Sequence, residues 1–339
     1  MGKGWTRRSV LAGAAVIGPA IIVRPTRAAD YKFAQYHNQA ASGTLHKNLN
    51  AMWQAIAAQT NGRVEATVYA ENNKLPGGDP DALKMLIAGE IQFFTLMGGI
   101  IGTVVPVAES QQLPFAFSSP EVAHKAVDGP LGKYIGEEMA AKGMHLFPVA
   151  GFDNGMRQVA TISRPIAEPQ DFAGMKMRVP PSPVWVSLFT ALGASPTSIT
   201  INELYSALQT KIVDGQENPL TIIESGKYYE VQKYCSITEH MWDGLWIIAN
   251  GKRIKSLPAD DLALITKSFE AATAKQRAET EHLNVELEGS LKSKGLVFNH
   301  PDKAPFRQAL TKAGFYADWK QKYGPEAWAV LEKYSGSLA

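Results

Sequence analysis

Short apolar runs of strand length alternate with amphipathic stretches of helix length along most of this chain, and that alternation restricts the fold more than any other feature. Tyr31 to Tyr36 is the first such run. The polar turn "HNQAASG" and a helix-patterned segment to about Gln59 follow, and Gly62 supplies the left-handed stop. "RVEATVYA" restores the strand pattern. Asp79 as cap and Pro80 as first residue open the next helix, and a strand over residues 91–96 comes after Gly89. Ser119 and Pro120 begin another helix, and "KGMHLFPVAGF" reads as one more strand. Strands and helices in this order predict an α/β domain with a largely parallel sheet.

The pattern restarts after about Asp153. "RQVATI" and "MKMRV" read as strands, "SPVWVSLFTALGA" as a passage into a helix, and Thr200 with Glu203 as a capping box. Pro258 and the acids Asp260 and Asp261 then open a proline-free stretch to Gly295. Along it Leu262, Ile265, Phe269, Ala272, Leu283, Leu287 and Leu291 recur at helical spacing. One helix of that length would outrun a single domain, tying two lobes together or supporting a dimer; two helices broken near Glu279 fit equally. Monomer and homodimer both stay open.

The first residues stand apart. Lys3, Arg7 and Arg8 precede an apolar stretch from Val10 to Val23, and Thr26-Arg27-Ala28 closes it. A charged start, an apolar middle and a small last residue make a secretory signal peptide over 1–28, its paired arginines pointing to the twin-arginine route. Fourteen residues broken by Gly13, Gly18 and Pro19 fall short of the roughly 20 that span a bilayer. Removing the segment takes away five basic residues and no acid, turning a formal net charge of +2 into −3. No basic stripe is left for a nucleic acid. Periplasmic localisation is therefore expected. The single cysteine, Cys235, excludes an internal disulfide framework, so a packed core must supply stability, and 45% apolar residues can build one. A mature chain of this length exceeds what one core usually serves. The first lobe is expected over 30–153 plus about 241–283, the second over 154–240 plus about 284–339.

Catalytic and cofactor signatures are lacking. The seven histidines have no metal-ligand spacing, and no nucleophile elbow, phosphate loop or dinucleotide fingerprint occurs; "GGIIG" at 98–102 lacks the spacing for the last. No metal, cofactor or catalytic residue is assigned, and the chain does not read as an enzyme. Cys235 is a packed thiol or, less simply, a nucleophile without a base in reach. What remains is polar groups set in apolar runs: Arg157 in "NGMRQVATI", Arg178 in "MKMRVP" and Asn218 in "VDGQENP". Each could be a structural ion pair or capped loop end. Each could also hold a guest, because a guanidinium fork matches both oxygens of a carboxylate and keeps its charge when desolvated. Pro180 and Pro181 follow one residue after Arg178 and end the run.

"NGMRQVATISRPI", "DFAGMKMRVP", "LGASPTSITINELYSALQTKIVDGQENPL", "KYYEVQKYCSITEH" and "TNGRVEATVY" resemble the solute-binding proteins of tripartite ATP-independent periplasmic (TRAP) transporters, DctP type. The likeness runs over essentially the whole mature chain and is densest from Gly151 to His240. It implies a two-lobed α/β periplasmic binding protein fold, with hinged lobes, a ligand cleft between them and a long connecting helix. It further implies that Arg178 makes the main salt bridge to a substrate carboxylate, with Arg157 and Asn218 adding second and third contacts. By position, His37 and Asn38 after the first strand, and Met97 and Gly98 after "FFTLM", face the guest from the other lobe. Trp242, in "EHMWDGLW", and Trp185 are either pocket wall or core. Sugar-acid-binding relatives carry an aromatic where this chain has Ile201 and an acid near Gly98, so a smaller or flatter aromatic, hydroxy or keto acid is expected. The partners implied are that acid and the membrane subunits of the transporter. Two alternatives stand beside this reading: an exported enzyme using His37 or His240 as base, and a ligand receptor for a sensor system.

Overall fold

The structure, a computed structural model, describes Met1 and residues 30–338; the expected signal peptide lies outside the described residues. Nine strands form one sheet: β1 (Tyr31–His37), β2 (Val64–Tyr69), β3 (Phe93–Met97), β4 (Met144–Thr161), β5 (Lys176–Val179), β6 (Ser195–Ser198), β7 (Gly215–Pro219), β8 (Tyr234–Asn250) and β9 (Val297–Asn299). Their order is β2-β1-β3-β8-β4-β7-β5-β6, with β9 alongside β8. The expected parallel pairing holds in the two wings, where β2, β1 and β3 run together and so do β5, β6 and β7. Between them β4 and β8 run antiparallel to each other and to their outer neighbours, so the sheet is mixed.

The two segments read as separate strands, "KGMHLFPVAGF" and "RQVATI", are a single 18-residue strand. Glycine and proline there suggested breaks. The chain instead absorbs them as irregularities in its pairing with β8, between Leu146 and Gly151, Asp153 and Met156, and Arg157 and Val159. Gly155 takes φ +96°, and the Cβ it lacks would lie 2.4 Å from Asn284 Nδ2. β8, 17 residues long, is the second crossing strand.

The long periodic stretch is one helix, Ala259–Ser293, of 35 residues, about 52 Å at 1.5 Å per residue. Buried Gln276 clasps the β4 irregularity: Asp153 N donates to its Oε1 at 2.8 Å, and its Nε2 donates to Asp153 O at 2.6 Å. Asn48, on the helix Thr44–Gln59, donates to Glu279 from the other side. Two caps differ from expectation. Gly78, not Asp79, caps the helix Asp79–Ala88, and Thr200 bonds the Glu203 carboxylate rather than a backbone N–H.

Two apolar clusters fill the molecule. The larger centres on Phe93, whose ring meets those of Trp53 and Phe33 at 4.9 and 5.1 Å. The smaller joins Leu204, Leu208, Ile223 and Cys235 to Leu287 and Leu291 of the long helix. Cys235 is fully buried, and burial pushes its thiol well up, so it is packing. Helix Ala304–Lys312 packs on the second wing. Phe315–Tyr323 and Pro325–Ser335 reach the first, with Tyr316 Oη donating to Pro114 O at 3.1 Å; the C-terminal segment thus touches both sides. Among the described residues no helix is long and apolar enough to cross a membrane.

Candidate functional site

Parallel strands deliver their carboxyl ends to one place, which is where open α/β sheets form their crevices. Asn38 and Gln39 follow β1, Met97 ends β3, Arg178 lies near the end of β5 with Pro180 just beyond it, and Asn218 lies near the end of β7. The crossing strands add Asn154 and Arg157 from β4 and Asp243 and Leu245 from β8. Together with Asp79, Ile100, Ile201 and Ile222 these residues enclose a cavity of about 20 Å³.

Arg178 is 2% exposed, and among the described residues no carboxylate lies within 4.0 Å of it. Its Nε donates to Ile199 O at 2.8 Å, and the residue lines the cavity. Burial pushes its pKa down to about 10, outweighing the opposing pull of Tyr228, Glu217 and Asp79; at neutral pH it stays charged.

Arg157 lies in the opposite circumstance. Its Nη1 meets Asp243 Oδ1 at 2.9 Å, and its Nε and Nη2 fork onto both oxygens of Glu217. Nη2 also reaches Asn218 Oδ1 at 3.1 Å, and the Trp185 ring lies 5.1 Å from the guanidinium. Burial alone would lower its pKa; Asp243 and Glu217 reverse that and hold it above the usual value. For Glu217 burial acts upward but Arg157 and His240 outweigh it, taking the carboxyl down to about 2. Asp243 is raised by burial, against Arg157 and Asn154. Of the two readings open for Arg157, the ion pair is the one its partners make.

The other polar groups are engaged in pairs. Asn38 Nδ2 donates to Asp79 Oδ2 at 2.7 Å, and Asn72 holds the other oxygen. Asn154 Nδ2 donates to Asp243 Oδ2 at 3.0 Å, and Asn218 Nδ2 donates to Gln216. Of the residues expected at the site, Arg178, Arg157, Asn218, Asn38 and Met97 line the cavity, and His37, Gly98, Trp185 and Trp242 do not. Trp242 is a matter of parity: successive strand residues face opposite ways, so Asp243 and Leu245 take the cavity side. Trp242 Nε1 donates to Asp153 Oδ1 at 2.9 Å on the other. Gly98 is a packing position, since a Cβ there would lie 2.3 Å from Ala108 O. Trp185 backs Arg157 and presses on Gly99, whose missing Cβ would lie 2.1 Å from its ring. His37, fully buried, has Nε2 2.9 Å from His46 Nδ1, and burial pushes its pKa down to about 3. His240 faces Glu217 at 3.2 Å, so neither histidine suggested as a base borders the cavity.

Sequence reasoning missed Asp243, Glu217, Asp79, Asn154 and Gln39. The first two sit inside the segments "MWDGLW" and "GQENP", distant in sequence from the arginine they hold.

The description of bacterial extracellular solute-binding proteins, family 7 (DctP), matches residues 35–318. The chain belongs to this family. A solute-binding protein of Roseobacter denitrificans is 32% identical over 270 residues, 80% of this chain and 81% of its own length. The C4-dicarboxylate-binding periplasmic protein DctP of Rhodobacter capsulatus is 30% identical over 278 residues, 80% of this chain and 81% of its own. The crystal structure of a Roseobacter denitrificans TRAP solute-binding protein with bound L-galactonate superposes with a TM-score of 0.83 at 26% identity, covering 90% of this chain and 99% of that one. The DctP-family chain shares with that protein its α/β fold, with a mixed sheet and one long helix.

Proposed function

We propose that this DctP-family protein is an extracytoplasmic receptor that closes two lobes around a small organic carboxylate and hands it to the membrane subunits of a TRAP transporter. One observation carries the reading: Arg178 is a buried, permanent cation with no carboxylate within 4.0 Å among the described residues, beside a cavity where Arg157 is paired with Asp243 and Glu217 and Asp79 is held by Asn38 and Asn72. A guest carboxylate supplies the missing charge, and closure makes the bond strong by excluding water. The guests named for the relatives, L-galactonate and C4-dicarboxylates, carry that group. We assign 30–153 with about 241–283 to one lobe and 154–240 with about 284–339 to the other, the last helices spanning both. Export through a signal peptide over 1–28 fits delivery outside the cytoplasm. Family membership implies a receptor rather than an enzyme.

A thermal-shift screen against small organic acids tests this. An acid at a hundredfold excess over its Kd adds about 2.7 kcal/mol of stability. Arg178→Ala should remove the shift and weaken binding at least a hundredfold, since losing one partner of a buried pair costs roughly 3–5 kcal/mol. An affinity that survives Arg178→Ala unchanged ends the assignment.

A further inference from the structure

We propose that the guest is a monocarboxylate with an apolar alkyl or aryl tail, and that the tail lies in the groove between the helix Leu220–Ser225 and the long helix Ala259–Ser293. This rests on the carboxylate reading above and adds to it the other end of the ligand.

The cavity at Arg178 is a head-group site. Its volume of about 20 Å³ admits one or two water-sized groups. Around it Asn38, Asp79, Asn154, Asp243, Arg157 and Asn218 already bond one another, so little beyond the Arg178 fork is left to recognise a row of hydroxyls. Any larger guest must continue outward. Two hollows adjoin the cavity. One, of about 270 Å³, carries Glu71, Glu230 and Lys227 on its walls, and Asn202 Nδ2 bonds Glu71 O across it at 3.1 Å. The other, of about 320 Å³, borders the head-group cavity through Gln39, Asn154 and Ile222, as the first does through Asn38, Gln39, Ile201 and Ile222. Ile222, Tyr229, Leu283 and Leu287 make its wall mostly apolar. Its acid, Glu224, is neutralised by Lys294, whose Nζ also sits 4.7 Å from the centre of the Tyr229 ring. Lys227 remains at the solvent edge. A chain leaving Arg178 past Gln39 therefore meets hydrocarbon on this side and charge on the other.

Calorimetry on the whole protein with acetate, butyrate, hexanoate, 3-phenylpropionate and D-glucuronate decides the matter. Affinity should rise about twofold to fourfold per methylene from acetate to hexanoate, near the increment for a buried CH₂, and 3-phenylpropionate should outbind D-glucuronate. Leu283→Asn, on the half-buried face of the long helix, should shrink the hexanoate-to-acetate ratio at least fivefold. Tyr229→Ala should do the same and serves if the first variant melts early. Affinities that are flat with chain length, or D-glucuronate binding tightest, overturn the tail subsite while Arg178→Ala still tests the carboxylate reading. Silence toward all five acids, with an Arg178-dependent response to some other carboxylate, overturns the tail subsite alone. Silence toward every acid overturns both.

Discussion

Two arginines twenty-one residues apart in the chain sit at one cavity and do opposite work, and partners alone separate them. Arg157 is locked between Glu217 and Asp243, so Arg157→Ala strands two buried carboxylates and should lower unfolding free energy by about 3–5 kcal/mol in a denaturant titration. Arg178→Ala removes a buried cation that has no ion pair within 4.0 Å among the described residues, and its unliganded melting temperature should stay level or rise. If both variants destabilise equally, the contrast drawn here is wrong. Arg178→Lys should recover only part of the binding, having a point charge without the fork. Arg178 could be found in the sequence because a permanent charge interrupts a strand-length apolar run that two prolines then stop. The engagement of Arg157 could not be, because Glu217 and Asp243 reach it from β7 and β8, 60 and 86 residues further along the chain and adjacent only in the folded sheet.

At the scale of elements, the 3₁₀ segment Pro106–Gln112 holds a carboxyl in an awkward place. Glu109 is fully buried, and among the described residues Lys322 Nζ, at 3.7 Å, is the nearest cation to it. Burial pushes its pKa up to about 8 from 4.5. The folded chain thus keeps a proton that the unfolded chain releases, so stability declines as pH rises from about 4.5 through about 8. Glu109→Gln should flatten that slope and raise the melting temperature at pH 8 more than at pH 5; an unchanged slope would show that Lys322 already compensates the charge. Strands and helices followed apolar period closely enough to be read from sequence, whereas the facing of β8 was not. Trp242 and Asp243 are neighbours with opposite directions, and which one meets the cavity depends on pairing with β4 across several irregularities. The single β4 was likewise hidden, because Pro148, Gly151 and Gly155 look like punctuation until a partner strand takes up the slack.

Across the whole molecule, the two wings touch at the cleft mouth through exposed groups. Asn202 reaches Glu71 O, and Thr200 Cγ2 lies 3.0 Å from where a Cβ on Gly78 would be. Asn202→Ala should leave the melting temperature nearly unchanged yet speed ligand release about twofold to tenfold, the worth of one ordinary hydrogen bond, in a stopped-flow measurement. A release rate equal to that of the parent would mean this contact does not guard the exit. The restarting pattern of strands and helices was legible in the sequence, but not that two strands would run the length of the sheet between its wings. That arrangement has its own consequence. β4 and β8 run through both halves of the sheet, so neither half owns a complete set of neighbours, and melting one strips the other of its inner edge. Heat should therefore take the molecule apart in one cooperative step rather than two, and limited proteolysis should not liberate a surviving half.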